Sequence, residues 1–151
     1  MEITRQKIHS VLAHSYLAYF IASLIGLFID SFMPVYFNAP FAPFITIGCF
    51  IIGPFLVLWA QQTSSQYASE QESSKGYFHR GPYRYMRNPT HVGLLILVSG
   101  YTVISGSLFF FGMTFIGFLV SNIFFTRYES ILDTTYGEQY QQYQSKVPKI
   151  L

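Results

Sequence analysis

The chain has 151 residues, of which 51% are hydrophobic and 11% are charged, and its formal net charge is +2. This length suits one domain, and the charged fraction lies far below the quarter that is usual in soluble domains, so the composition argues against a water-soluble fold. The single cysteine, Cys49, excludes an internal disulfide and a cluster of thiolate metal ligands.

Three stretches without Asp, Glu, Lys or Arg predict membrane helices, at 11–29, 41–60 and 92–125. The first two match the roughly 20 residues that cross a bilayer. A single helix over the third would be roughly 50 Å long, so we predict a tight hairpin that turns at Ser105-Gly106-Ser107. The predicted fold is one all-α integral membrane domain with about four transmembrane helices. They cover residues about 10–30, 40–60, 89–105 and 107–132.

The basic residues predict the orientation of these helices. All nine lie before the first uncharged run, between the second and the third, or after the third. Four spans place these segments on one face, which the positive-inside rule makes cytoplasmic, so we predict a multi-pass protein with both termini in the cytoplasm. The alternative for residues 1–30 is a signal peptide, but the apolar run exceeds the usual length and Ile29-Asp30-Ser31 is a poor cleavage site.

Other sequence features concern packing and the polar segments. Ala18, Ala22 and Gly26 form a small-residue ridge on helix 1 that allows close approach of another helix. The polar stretch 61–74 is either an extension of helix 2 or disordered. The tail after helix 4 is predicted to be a helix, which Gly137 weakens.

A candidate anion site lies at the start of helix 3. Asn88 is a good N-cap and Pro89 suits the first helical position. The N-terminal dipole and the neighbouring Arg84 and Arg87 would attract an anion, although the same arginines could simply contact anionic lipid headgroups. Glu129 lies about one turn beyond the third uncharged run, where helix 4 leaves the membrane on the same face as Arg87, and it is either functional or a solvated juxtamembrane acid.

The remaining motifs exclude several classes of protein. The four histidines show no metal-ligand spacing, so no metal site is predicted. There is no phosphate loop and no dinucleotide fingerprint, and no nucleic-acid partner is expected. His14 is interpreted as a packing residue, whereas His91 lies one turn into helix 3 and is the more interesting candidate.

Two blocks of sequence carry a family resemblance. The first is Gly81-Pro82-Tyr83-Arg84-Tyr85-Met86-Arg87-Asn88-Pro89-Thr90-His91-Val92-Gly93, and the second begins at Glu129, continues through Tyr136-Gly137-Glu138-Gln139-Tyr140 and ends at Val147-Pro148. In order and separation they resemble the isoprenylcysteine carboxyl methyltransferase family, including its small bacterial members and the related phospholipid N-methyltransferases. The N-terminal half is similar only in having two membrane helices.

The resemblance implies an S-adenosylmethionine site at the cytoplasmic ends of helices 3 and 4. The implied catalytic residues are Arg87, which with the start of helix 3 suits a carboxylate, and Glu129, which suits an ammonium group or ribose hydroxyls. Tyr83, Tyr85 or His91 would line the adenine pocket. The implied cofactor-binding residues are Gly81, Tyr83, Tyr85, Asn88, Pro89, His91 and Glu129.

Four positions depart from the family pattern. Tyr128 replaces the first of two acids, Asn88 replaces the common histidine, His91 replaces a tyrosine, and Lys75 lies near an expected histidine. The loss of the first acid removes one partner for the cofactor.

The sequence therefore predicts an S-adenosylmethionine-dependent membrane methyltransferase. Its partners would be the bilayer and a lipid or a prenylated small-molecule or peptide acceptor. The arginines favour a carboxylate acceptor, which needs a cation to orient it but no base. The alternatives are a phospholipid-type N-methyltransferase and a non-enzymatic membrane scaffold with a degenerate site, which Tyr128 and Lys75 favour.

Overall fold

A computed structural model describes residues 2–69 and 80–148 of the chain. Its elements are α1 (Glu2–Phe32), α2 (Ala42–Ser69), a 3₁₀ turn (Gly81–Arg84), α3 (Pro89–Ser105), α4 (Leu108–Tyr136) and α5 (Glu138–Lys146). These described residues contain no strand, and an isolated bridge pairs Tyr36 with Ser107. The prediction of an all-α fold is confirmed.

Several helices extend beyond the apolar runs that predicted them. α1 begins at Glu2. α2 continues through the polar stretch to Ser69, so residues 61–69 extend helix 2 and are not disordered. Straight-chain polar residues sustain a helix as well as apolar ones do, so hydropathy alone underestimates helix length. The tail forms a separate helix, because Gly137 takes a φ of 53°, which ends α4 before α5 begins.

In the part of the chain that the structure describes, two helices are long and apolar enough to cross a membrane, in the segments Ala42–Ser64 and Leu108–Thr134. The apolar parts of the other two are shorter, at Tyr16–Phe32 and Pro89–Ser105. Large side chains such as Phe28 and Phe44 point outward with 66% and 76% of their surface exposed. An outer surface this apolar is suited to lipid. The full four-span topology, with α3 and α4 as a membrane hairpin, stays a prediction.

The helices pack mainly in two pairs, α1 with α4 and α2 with α3. The predicted small-residue ridge contributes to the first pair, since Ala22 and Gly26 are both buried there. A Cβ atom at Gly26 would lie 3.1 Å from the Cα of Phe110 on α4. The two backbones therefore approach closely at this point, as small residues at a membrane helix interface allow.

The predicted turn residues lie where α3 ends and α4 begins. Gly106 has a φ of 64°, and its backbone N–H donates to the carbonyl of Thr102. Ser107 is the N-cap of α4, and its hydroxyl accepts a hydrogen bond of 3.0 Å from the N–H of Phe110. The connection between α1 and α2 covers this turn, and the N–H of Phe37 in that connection donates to the Gly106 carbonyl at 2.7 Å.

We expect Gly106→Ala to destabilise the protein, because a side chain in this left-handed conformation costs about 1–2 kcal/mol and its Cβ would lie 2.5 Å from the Phe37 carbonyl oxygen. Thermal unfolding in detergent, followed by circular dichroism, measures the effect. The matched control is Gly112→Ala in α4, where a Cβ atom meets nothing within 4 Å. Equal midpoints for the two variants would contradict this account of the turn.

Candidate functional site

The segment before α3 is a compact turn held against α2. Gly81 has a φ of 57°, and a Cβ atom there would collide with Thr63 of α2. Pro82 is buried, and its carbonyl accepts from the N–H groups of Tyr85 and Met86 at 3.1 and 3.2 Å. Gly81 and Pro82 thus determine the backbone conformation that places Arg87 just before the start of α3.

Arg87 is the centre of the site. Its Nη1 donates to Glu129 Oε1 at 3.0 Å, its Nε donates to the carbonyl of Val147 at 2.8 Å, and its Nη2 donates to the carbonyl of Gln144 at 2.8 Å. The side chains of Arg87 and Glu129 are 15% and 13% exposed, so water screens this ion pair only partly. The structure brings together the two residues predicted to be catalytic, while their catalytic role stays a prediction.

The two carbonyls that Arg87 contacts belong to the end of α5, where the helix dipole is negative. A guanidinium has five N–H groups, and these three contacts use one from each nitrogen. Each terminal nitrogen of Arg87 therefore carries a second hydrogen beyond these contacts. The contacts of Arg87 join the chain before α3 to α4 and α5.

An aromatic cluster holds α5 in place beside Arg87. The hydroxyl of Tyr143 donates to the carbonyl of Tyr83 at 2.7 Å. Tyr140 is 1% exposed; burial raises its pKa to about 12, and the nearby Glu129 carboxylate also raises it, so its hydroxyl stays protonated at neutral pH. The cluster consists of Phe125, Tyr128, Leu132, Tyr140, Tyr143 and Val147.

This cluster explains the departure at Tyr128. The side chain is 8% exposed and packs with Phe125 and Leu132, where an acid would have to be buried among apolar groups. Lys75, the other departure used to argue for a scaffold, lies outside the described residues.

The other predicted cofactor residues differ in their surroundings. Asn88 and Pro89 are buried at the start of α3, and Asn88 is the N-cap but makes no side-chain capping bond. Tyr83 is half-buried, whereas Tyr85 has 60% of its surface exposed. His91 is 3% exposed and lies deeper, between α1 and α4. Their contact with a cofactor stays a prediction.

Asp133 was not singled out from the sequence. Its Oδ1 is buried, and no hydrogen-bond partner for it exists among the described residues. It follows Glu129 by four residues, so both carboxylates lie on one face of α4. The four-residue spacing could have indicated Asp133 from the sequence, because it places a second acid beside Glu129 on the same side of the helix.

These groups suit a ligand with both a positive and a negative end. The Glu129 and Asp133 carboxylates match an ammonium or sulfonium group. The N-terminus of α3, without a side-chain cap from Asn88, matches a carboxylate. The amino-acid portion of S-adenosylmethionine has this distribution of charge, so the residues present fit that cofactor.

We expect Arg87→Ala to lower the free energy of unfolding by about 3 kcal/mol, because the largely buried Glu129 carboxylate would lose its ion pair with Arg87 and two carbonyls would lose their donor. Thermal unfolding in detergent measures the loss. The control is Arg84→Ala, since Arg84 is exposed and should change stability by no more than about 0.5 kcal/mol. Similar midpoints for both variants would show that the Arg87 contacts do not support the fold.

Comparison with known proteins identifies a family. A family model described as phospholipid methyltransferase matches residues 41–139, from the start of α2 into α5. No curated protein and no solved structure matches the chain. The matched span covers more than half of the chain and contains both Arg87 and Glu129. The chain therefore belongs to the phospholipid methyltransferase family, a family of membrane methyltransferases related to the isoprenylcysteine carboxyl methyltransferases.

Proposed function

We propose that the protein transfers a methyl group from S-adenosylmethionine to a lipophilic acceptor. The observation that carries this proposal is the contact between Arg87 and Glu129, which are 42 positions apart in the chain and lie inside the span that matches a methyltransferase family. An isolated surface ion pair would not need this degree of burial or the two additional carbonyl contacts.

The cofactor would lie against the chain before α3 and the end of α4. The start of α3 would hold its carboxylate, and Glu129 with Asp133 would hold its ammonium group. Gly81, Tyr83, Tyr85, Asn88 and Pro89 would form the wall, and His91 would lie at the inner edge. When bound, the cofactor supplies an electrophilic methyl group on a sulfonium. The protein's contribution is to orient the reactants and exclude water.

Two classes of acceptor follow from different observations. The arginines of the 81–87 segment favour a carboxylate, as in isoprenylcysteine carboxyl methylation. The engagement of Arg87 by Glu129 and two carbonyls weakens that argument. The description of the matching family favours a phospholipid amine instead. A non-enzymatic scaffold would require neither acceptor nor cofactor.

We expect Glu129→Gln to weaken binding of S-adenosylhomocysteine about tenfold to a hundredfold, the cost of one charge-assisted hydrogen bond of roughly 1.5–3 kcal/mol. Isothermal titration calorimetry on detergent-solubilised protein gives the Kd. The matched control is Glu138→Gln, an exposed acid at the start of α5. Absence of binding by the unaltered protein at millimolar ligand would favour the scaffold, and equal Kd values for both variants would move the site away from Glu129.

The site also requires a topology that puts α3's start and α4's end on the cytoplasmic face. We expect reporter fusions after residue 70 and at the C-terminus to be cytoplasmic, and a fusion after residue 35 to be external, because all nine basic residues lie outside the 33–41 connection. An external signal from the fusion after residue 70 would reverse the topology and remove the site from the cytoplasmic cofactor.

A further inference from the structure

The connection between α1 and α2, residues 33–41, forms an apolar surface at the end of the fold opposite Arg87. It contains no Asp, Glu, Lys or Arg. Its large side chains are between 40% and 67% exposed, and they are Met33, Val35, Tyr36, Phe37 and Phe41. Connections that face water are usually built from polar, turn-forming residues. An exposed apolar patch of this kind marks contact with another molecule or with lipid.

The backbone of this connection is bonded to the turn between α3 and α4. The N–H of Phe37 donates to the Gly106 carbonyl at 2.7 Å, and the N–H of Leu108 donates to the Val35 carbonyl at 2.9 Å. Irregular backbone is tolerated near the hydrocarbon region only where its polar groups find partners. These bonds reduce the number of backbone groups in the connection that need water.

A carboxylate marks the polar level at this end of the fold. The hydroxyl of Ser107 donates to Asp30 Oδ1 on α1 at 2.9 Å, so the end of α1 and the α3–α4 turn lie at the same level. A carboxylate in the middle of the hydrocarbon region is costly. Asp30 therefore places this end of the fold at a boundary of the membrane and not in its centre.

The lengths of the helices show how far the turn can reach. α3 has 17 residues and is about 25 Å long, and the uncharged part of α4, residues 108–126, is about 28 Å long. The hydrocarbon region is roughly 30 Å thick. Because Arg87 contacts Glu129, the start of α3 and the end of α4 lie at one boundary. The turn then reaches no farther than the other boundary, and the connection bonded to it is held at that depth.

We propose that residues 33–41 insert their apolar side chains into the interfacial layer of the leaflet opposite the candidate cofactor site. Lipid is the partner that covers this surface. The inference rests on the four-span arrangement and is independent of the proposed chemistry. Apolar side chains of an interfacial segment reach about 5–10 Å into the boundary between headgroups and acyl chains, which suits Met33 and Phe41.

Continuity with the helix surfaces favours lipid over a protein partner. Phe28 on α1 and Phe44 on α2 lie before and after the connection, and both are more than half exposed. The apolar surface therefore continues from the connection along both helices, as lipid contact requires. Tyr36 is 62% exposed, and its ring and hydroxyl suit the headgroup level, where tyrosine is enriched in membrane proteins.

The test measures the depth of single tryptophans by fluorescence quenching. The full chain is placed in lipid nanodiscs whose scaffold protein lacks tryptophan. The native tryptophan is removed by Trp59→Phe, since the chain has one tryptophan. Phe41→Trp reports on the connection in this background, and Met33→Trp gives a second position in it. Acrylamide is the quencher in water, and phosphatidylcholine brominated on its acyl chains is the quencher in lipid.

Two matched controls define the limits of the measurement. Phe44→Trp replaces a side chain of α2 that is 76% exposed and serves as the lipid reference. Gln141→Trp lies at an exposed polar position of α5 and serves as the water reference. Thermal unfolding of each variant shows whether it is folded.

We expect brominated lipid to quench Phe41→Trp within about twofold of Phe44→Trp, because bromine atoms reach both positions from the acyl chains. The acrylamide quenching constant should be at least about threefold smaller than for Gln141→Trp, because the interfacial layer limits contact with water.

Two results would overturn the inference. Acrylamide quenching equal to that of Gln141→Trp would place the connection in water. Weak quenching by both agents would show that protein covers it, either a second copy or another partner. If Phe41→Trp does not fold, the same criteria apply to Met33→Trp. Binding of S-adenosylhomocysteine by the unaltered protein tests the proposed function separately, so the two failures are distinguishable.

Discussion

The guanidinium of Arg87 is the interaction on which the candidate site depends. It joins the chain before α3 to Glu129 at the end of α4 and to two carbonyls at the end of α5. Desolvation makes a largely buried cation costly, and only the simultaneous presence of all three partners offsets that cost. The start of α3, the end of α4 and α5 are consequently stabilised as one unit.

Hydrogen bonds between helices fix the register deeper in the fold. Besides the cluster that His91 forms with side chains of α1 and α4, the hydroxyl of Thr46 on α2 donates to the carbonyl of Gly100 on α3 at 3.0 Å, and the hydroxyls of Thr102 and Thr114 lie 3.4 Å apart across α3 and α4. Apolar side chains gain little by exchanging lipid for protein neighbours, so such polar contacts and close backbone packing determine which helix faces meet. α3 takes part in each of these contacts and thereby links the two helix pairs.

Sequence patterns predicted the features that depend on local chemistry. The absence of charge located the apolar helices, Pro89 and Gly106 marked the two ends of α3, and Ala22 with Gly26 marked a helix contact. The carbonyl partners of Arg87 were not predictable, because every residue has a carbonyl and only the path of α5 selects two of them. The contact between His91 and Ser121 was equally hidden, since it depends on the rotation of α3 and α4 about their axes. Gly137 was expected to weaken the tail helix, and its positive φ instead separates two helices.

The two polar groups of the site lie at different depths, and this arrangement is suited to a reaction between unlike partners. A charged, water-soluble cofactor would meet the Arg87 and Glu129 pair, where side chains are still 15% and 13% exposed and solvent can fill the site before binding. His91 lies deeper, with 3% of its surface exposed, beside the rings of Tyr19 and Phe118. A displacement at a methyl carbon gains most from holding nucleophile and donor in line in a dry site. Because α3 begins two residues after Arg87, the first turn of α3 fixes the separation between the ion pair and His91.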